Sequence, residues 1–179
     1  MSTEMDFFEL IRARCSIRAY QPRPVEAGKL TRILEAANRA PSAGNLQAYK
    51  IVIVHDAATR KALSRAALHQ DSLAQAPVVL AFLAHLDASA AKYGNRGATL
   101  YSLQDATIAC AYAQLAASAL GLGSVWVGAF NDEAVGDALK VRAGWRPVGL
   151  LSIGYPAETP EPTSRRPLNE LVEELGTRQ

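Results

Sequence analysis

The chain has 179 residues, of which 49% are hydrophobic and 20% charged, and carries a formal net charge of +2. That length gives one domain a full core and is too short to divide comfortably into two. So even a charge balance offers no grip on a long polyanion such as nucleic acid, so any anion bound should be small.

Thr3 and Asp6 together resemble a helix N-cap, and Phe7, Phe8, Leu10 and Ile11 then fall at helical spacing. This first helix delivers Arg14-Cys15-Ser16-Ile17-Arg18. In an extended backbone alternate side chains share a face, so Arg14, Ser16 and Arg18 would point together and form an anion site. Guanidinium forks match phosphate oxygens, and a serine hydroxyl adds a short contact. The rival interpretation is a solvated, positively charged helix end.

After Pro22 and Pro24, the residues Leu30, Ile33, Leu34 and Ala37 mark a second amphipathic helix that stops before Pro41. Next comes Pro41-Ser42-Ala43-Gly44-Asn45-Leu46-Gln47, small and polar, which lets backbone approach a ligand closely and offers the amides of Asn45 and Gln47. An apolar strand is expected over residues 49–54, then a helix capped by Asp56 and running to about Leu68. Pro77 opens a second, central strand over 78–86.

Residues 87–97 read as a polar connection. A long helix is expected over 98–120, ended by Gly121. Ala109, Ala111, Ala113, Ala116, Ala117 and Ala119 cover several of its faces, as suits a central or interface helix. Gln104, Asp105 and Gln114 interrupt this most apolar run, which argues for a buried helix rather than a membrane span. Ser124 to Val127 make a third strand, Asn131 or Asp132 caps a short helix to Val141, and residues 148–153 make a fourth strand. Pro156, Pro160, Pro162 and Pro167 keep the tail extended, with only 168–175 helical, so residues 156–179 should dock on the core or on a partner.

Side-chain chemistry finds little support. His55, His69 and His85 have no partner at metal-ligand spacing, so no metal site is expected. Gly121-Leu122-Gly123 lacks a third glycine and lies between helix and strand, the reverse of a dinucleotide fingerprint. Cys15 and Cys110 stand far apart with no secretory signal ahead of them, which fits a reducing cytoplasm. A cofactor could carry the reaction instead, and two arginine clusters, around Arg14 and at Arg165-Arg166, suit a phosphate monoester.

Taken together, Arg14-Cys15-Ser16-Ile17-Arg18, Ala40-Pro41-Ser42-Ala43-Gly44-Asn45-Leu46-Gln47, Leu120-Gly121-Leu122-Gly123 and Arg165-Arg166-Pro167-Leu168 resemble the nitroreductase family of FMN enzymes, in its compact form. The resemblance implies a single α+β domain over residues 1–179. It also implies a sandwich with a mostly antiparallel sheet of four to five strands, in an intertwined homodimer with two FMN sites between the subunits. By position, Arg14, Cys15, Ser16 and Arg18 match the N-terminal flavin-binding segment, Arg14 and Ser16 toward the phosphate and Arg18 nearer the ring. Pro41, Ser42 and Asn45 would reach the flavin of the partner subunit. Gln70 is a looser match to a side chain that bonds the pyrimidine edge. Val127, Gly128 and Ala129 would set backbone N–H groups near flavin N5 and O4, and Arg165 and Arg166 would close over the phosphate.

The implied activity is an FMN-dependent NAD(P)H oxidoreductase, reducing nitroaromatics, quinones or similar small acceptors by ping-pong hydride transfer without a catalytic side chain. Relatives acting as reductive dehalogenases or oxidases, or a flavin carrier without turnover, are the alternatives. Two departures from the family pattern stand out. Ala48-Tyr49 replaces the Pro-Trp of many relatives, and the short 87–97 segment replaces their inserted helices, with Tyr93 or Tyr101 as candidate lid residues.

Overall fold

The computed structural model describes residues 6–161 and 163–176, so Thr3 and Pro162 lie outside the described residues. Helix α1 (Phe7–Ala13) begins at Asp6, whose carboxylate accepts hydrogen bonds from the Phe8 and Glu9 amides while Glu9 reaches back to the Asp6 N–H. Two orphan donors of the first turn are satisfied in this way. Helix α2 (Ala27–Asn38) stops short of Pro41, as its apolar spacing requires.

Strands β1 (Tyr49–Val54), β2 (Val78–His85), β3 (Gly123–Val127) and β4 (Trp145–Gly154) form one sheet in the order β1-β2-β4-β3, every pair antiparallel. Between them lie α3 (Ala57–Ala66), α4 (Asp71–Gln75), α5 (Leu86–Arg96), α6 (Ser102–Ala119) and α7 (Asp132–Leu139). On one face Val78, Leu80, Phe82 and Ala84 of β2 pack with Leu30 and Ile33 of α2 and Ala106, Ala109, Ala113 and Ala117 of α6. On the other, Val79 and Ala81 meet Leu63 of α3, Leu73 of α4 and Val135 of α7. Because β2 is covered on both sides, its apolar run is continuous rather than alternating. Alanines let α6 approach sheet and α2 together, since a small side chain sets a short interaxial distance.

Several expectations need correction. Residues 87–97 are not an irregular connection: residues 87–96 fall within α5, bent at Gly94 (φ 58°), and a single π-turn over Gly97–Tyr101 leads into α6, which starts at Ser102. Gly97 is required there, since a Cβ would strike the Ser89 carbonyl oxygen. Helix α3 ends two residues early, with Leu68 and His69 both left-handed, and α4 follows as one short turn that carries no periodic signal. Strand β4 starts at Trp145 rather than Val148. The expected helix over 168–175 is only a 3-10 turn at Leu168–Glu170, and Leu168, Leu171 and Leu175 are all exposed among the described residues, Leu175 at 92%.

No helix among the described residues is long and apolar enough to cross a membrane.

Candidate functional site

The segment after α1 runs along the outer edge of β3. Ser16 bridges Ser124 in parallel, the Ile17 amide donates to Ser124 O at 3.0 Å, and Ile17 is buried beneath Gly123, where a Cβ would collide with it. Tyr20 anchors the far end: its hydroxyl donates to Ile17 O at 2.6 Å and lies 2.8 Å from Ser152 Oγ. Burial pushes that phenol far above its ordinary pKa, so it remains a neutral donor.

The C-terminal segment crosses the same region. Ala157 N–H donates to Ala19 O at 2.9 Å, and the Glu158 carboxylate accepts from the amides of Arg18 and Ala19. This crossing brings the two ends of the chain together. Arg14, Cys15, Pro160, Thr163 and Arg165 line one cavity of about 370 Å³, and a second of about 230 Å³ continues from Arg14 and Cys15 toward Gly121 and Gly123. Arg166 does not line the first cavity but pairs with Glu170, Nε to Oε2 at 3.0 Å. Arg18 is exposed, with its backbone N–H engaged by Glu158.

At the other end of β3 the chain leaves the sheet at Val127, and Gly128 and Ala129 are exposed. A Cβ at Gly128 would meet nothing nearer than Trp126 Nε1 at 3.5 Å, so its backbone stands open to a ligand. Gln70 Nε2 donates to Ala129 O at 3.4 Å, a long bond that a better acceptor could displace. Arg14, Cys15, Ser16, Val127, Gly128, Ala129 and Gln70 therefore follow β3 from one end to the other.

Pro41, Ser42 and Asn45 are elsewhere. The loop turns back on itself with Gly44, Asn45 and Gln47 at positive φ, and Ser42 Oγ accepts from the Gln47 amide at 2.9 Å. It is tied to the start of α6 by Asp105 Oδ1, which accepts from the Ala43 amide at 2.8 Å. Ser118, at the other end of α6, lines the cavity that contains Arg14. At 1.5 Å per residue the two ends lie roughly 20 Å apart along the helix, too far for one small ligand to touch both within one chain. A cavity of about 440 Å³ opens beside the loop, walled by Pro41, Ser42, Tyr101, Gln104, Asp105 and Thr107. Tyr101 is steadied there by Arg96 Nε at 3.0 Å and by the edge of Tyr93.

Sequence reasoning treated Asp105 only as an interruption of an apolar helix. The missed signal was a lone carboxylate on the buried side of an alanine-rich helix, which needs a specific donor. Among the described residues no cluster of three His, Cys, Asp or Glu side chains suits a metal ion.

The sequence profile of the nitroreductase family matches residues 11–70 and 64–155. A Thermus thermophilus NADH dehydrogenase is 37% identical over 186 aligned residues, covering 89% of this chain and 91% of that protein. A Bacillus subtilis FMN reductase [NAD(P)H] is 34% identical, covering 85% of this chain and 66% of its own length. The structure of a Vibrio harveyi NADPH:FMN oxidoreductase complexed with NAD+ superposes with a TM-score of 0.87 at 26% identity, covering 96% of this chain and 78% of the other. The chain belongs to the nitroreductase family.

Proposed function

From that membership we propose that the protein is an FMN-dependent NAD(P)H oxidoreductase whose acceptors are nitroaromatics, quinones or related small molecules. The observation that carries this is the convergence of Arg14 and Arg165 on one cavity beside the edge of β3. A phosphate monoester is nearly a dianion at neutral pH, and Arg12, Arg14 and Arg165 all line that cavity with no carboxylate among its lining residues to balance them. Arg14, Ser16 and Arg165 are assigned to the phosphate. Arg166 can join them, because its exposed pairing with Glu170 is worth little and is easily exchanged. Cys15 lines the phosphate end beside Arg14.

The remaining residues suit the ring. The backbone N–H groups along Val127, Gly128 and Ala129 can face N5 and O4, Gln70 the pyrimidine edge, and Arg18 the N1–C2 carbonyl edge, where a cation favours the anionic reduced form. The hydride chemistry, from nicotinamide to acceptor by ping-pong exchange, is what the flavin supplies when bound. The chain's part is to orient and hold charge, and no catalytic side chain is assigned.

The site is completed by a second copy. Pro41, Ser42 and Asn45 lie too far along α6 to reach the flavin held by Arg14 of the same chain, so they serve the partner's. An apolar surface is available for that dimer: Phe7, Phe8 and Ile11 of α1 and Tyr112 of α6 are 59%, 68%, 45% and 40% exposed. Leu168, Leu171 and Val172 of the tail are exposed as well, so this stretch is assigned to the partner's surface, while residues 156–158 dock on this chain's own Arg18–Tyr20 segment as part of the same domain. Cys15 and Cys110 are both unpaired thiols, consistent with a cytoplasmic enzyme.

Steady-state kinetics with NADH or NADPH against a quinone tests the mechanism. Parallel double-reciprocal lines are expected, and intersecting lines would rule out a ping-pong exchange.

A further inference from the structure

Another cavity, of about 280 Å³, lies on the sheet face that carries α3 and α7, away from α6. Lys50 and Val52 of β1, Leu83 of β2, Trp145 of β4, and Lys140 and Arg142 just beyond α7 all line it. It shares no lining residue with the two cavities of Arg14. Strands β1 and β3 are opposite edges of the sheet. Three strand spacings of about 4.8 Å therefore put it roughly 14 Å from the edge to which the flavin is assigned.

Two features build this corner. Phe82 pairs with Gly149 but Leu83 pairs with Pro147, so Val148 is an extra residue, a β-bulge in β4. The bulge reverses the alternation of side chains beyond it, and Trp145 rather than Arg146 comes to share a face with Lys50. The Trp145 ring is stacked on His85, centroids 4.1 Å apart, and Lys50 Nζ lies over it at 4.3 Å. The second feature is the end of α7, where Lys140 adopts the left-handed conformation (φ 54°) that glycine usually supplies. Val141 N–H closes that turn on Gly136 O at 2.8 Å.

Lys50, Lys140 and Arg142 are thereby gathered from two distant parts of the chain. No carboxylate lines the cavity, and none of the three cations forms an ion pair among the described residues. Arg146, next along β4, is neutralised by Asp132, and Asp87 stands behind Gly144 without lining the cavity. The dipole of α7 would account for cations at its C-terminus, but not for Lys50, which reaches the same cavity from β1 across a fixed indole ring. The volume falls just below the range of about 300–1,000 Å³ found for drug-sized ligands, so the ligand is small. Three cations around it favour a compact dianion, and the guanidinium fork of Arg142 matches tetrahedral oxygens.

We propose that Lys50, Lys140 and Arg142 form a second anion site, which takes a phosphate group, free or as the end of a small ester, at the sheet edge opposite the flavin. The inference goes beyond the FMN assignment and does not depend on it.

The indole N–H of Trp145 is a local reporter, separated from that of Trp126, the other tryptophan of the chain, by its loss in Trp145→Phe. In NMR of the full chain with FMN in excess, and no other multivalent anion, inorganic phosphate should shift the Trp145 signal saturably, with a Kd below about 1 mM. Because the reporter is local, it reads this site whether or not FMN is bound. Arg142→Gln and Lys50→Gln should each weaken phosphate about tenfold, the scale of one lost hydrogen bond to a charged group. Arg32→Gln removes an exposed cation from α2, on the other side of the sheet, and should leave phosphate binding unchanged. Lys140→Gly separates the site from the fold: glycine takes the left-handed angle freely, so Tm should rise while phosphate binds more weakly. Glycerol phosphate in place of inorganic phosphate distinguishes an ester from the free ion, and saturable binding of either bears the inference out. It is overturned if neither moves Trp145 saturably, if Arg32→Gln weakens phosphate as much as Arg142→Gln does, or if Lys140→Gly raises Tm and leaves phosphate affinity intact.

Discussion

Arg14, at the end of α1, and Arg165, in the C-terminal segment, line the same cavity of about 370 Å³ although they stand near opposite ends of the chain. The tail is brought there by Glu158, which accepts from the amides of Arg18 and Ala19, and by the Tyr20–Pro156 bridge. Positive charges gathered on one cavity repel one another, and an anion bound there would relieve that repulsion.

Neutralising either arginine, as Arg14→Gln or Arg165→Gln, should weaken FMN by about 1.5–3 kcal/mol, the range for a hydrogen bond to a charged group. The double variant should lose less than the sum, because both arginines act on one phosphate. Fluorescence titration of the flavin at fixed ionic strength checks both statements, and strict additivity would mean that the two arginines do not share a ligand.

Placing a charge in the apolar surface of α1 and α6, as Phe8→Glu with Tyr112→Glu, should weaken the dimer by about 2 kcal/mol or more, as expected for central interface aromatics. Sedimentation should then find monomer, and FMN affinity should fall with it. Monomers that keep full FMN affinity would show that the 41–47 loop of a second copy is not needed.

Two glycines should respond differently to alanine. At Gly44 (φ 56°) the new Cβ meets the movable ends of Tyr93 and Lys92, so the cost is mainly the left-handed backbone, about 1–2 kcal/mol. At Gly97 the backbone angle is ordinary, but the Cβ meets the Ser89 carbonyl, which cannot swing away, so overpacking of about 3 kcal/mol or more is expected. For a chain of this size each kcal/mol moves Tm by about 2–4 °C. Thermal unfolding should rank Gly97→Ala below Gly44→Ala.

Glu26 gives a pH dependence. Its carboxylate accepts from the Tyr155 hydroxyl at 2.7 Å and pairs with Arg23 at 2.7 Å, and the Tyr155 bond foremost holds its pKa down at about 2, against an ordinary 4.5. The folded-state value is the lower one, so this contribution is complete above pH 4.5 and is lost as the pH falls toward 2. Tyr155→Phe should raise the Glu26 pKa toward its ordinary value and flatten that part of the stability profile, as carboxylate NMR titration and acid unfolding would show.

Much of this architecture could be read from local chemistry. Strand β1 begins and ends at the expected residues because a small-residue loop precedes it and the Asp56 cap follows. A cap ahead of α1 was expected from Thr3 and Asp6, whereas Asp6 is itself the N-cap and Glu9 completes the box. What escaped depends on distant neighbours. Helix α5 is broken at Gly94 and is rich in polar residues, and it holds because Gly97 packs on Ser89 and Tyr93 on Tyr101. The leucines of 168–175 have helical spacing but remain exposed among the described residues. For the site, both arginine clusters were visible as clusters. That Arg165 lines the cavity of Arg14 while Arg166 turns to Glu170 depends on the path of the tail past Glu158, and the bond of Asp105 to the Ala43 amide joins residues far apart in sequence.

The most direct test is anaerobic mixing of NADH or NADPH with purified protein that has been saturated with FMN and freed of excess. One FMN per chain should remain bound, and its yellow absorbance should bleach rapidly with at least one of the two donors and return when a quinone is added. Protein that retains no flavin, or whose bound flavin stays yellow with both donors, would contradict the assignment.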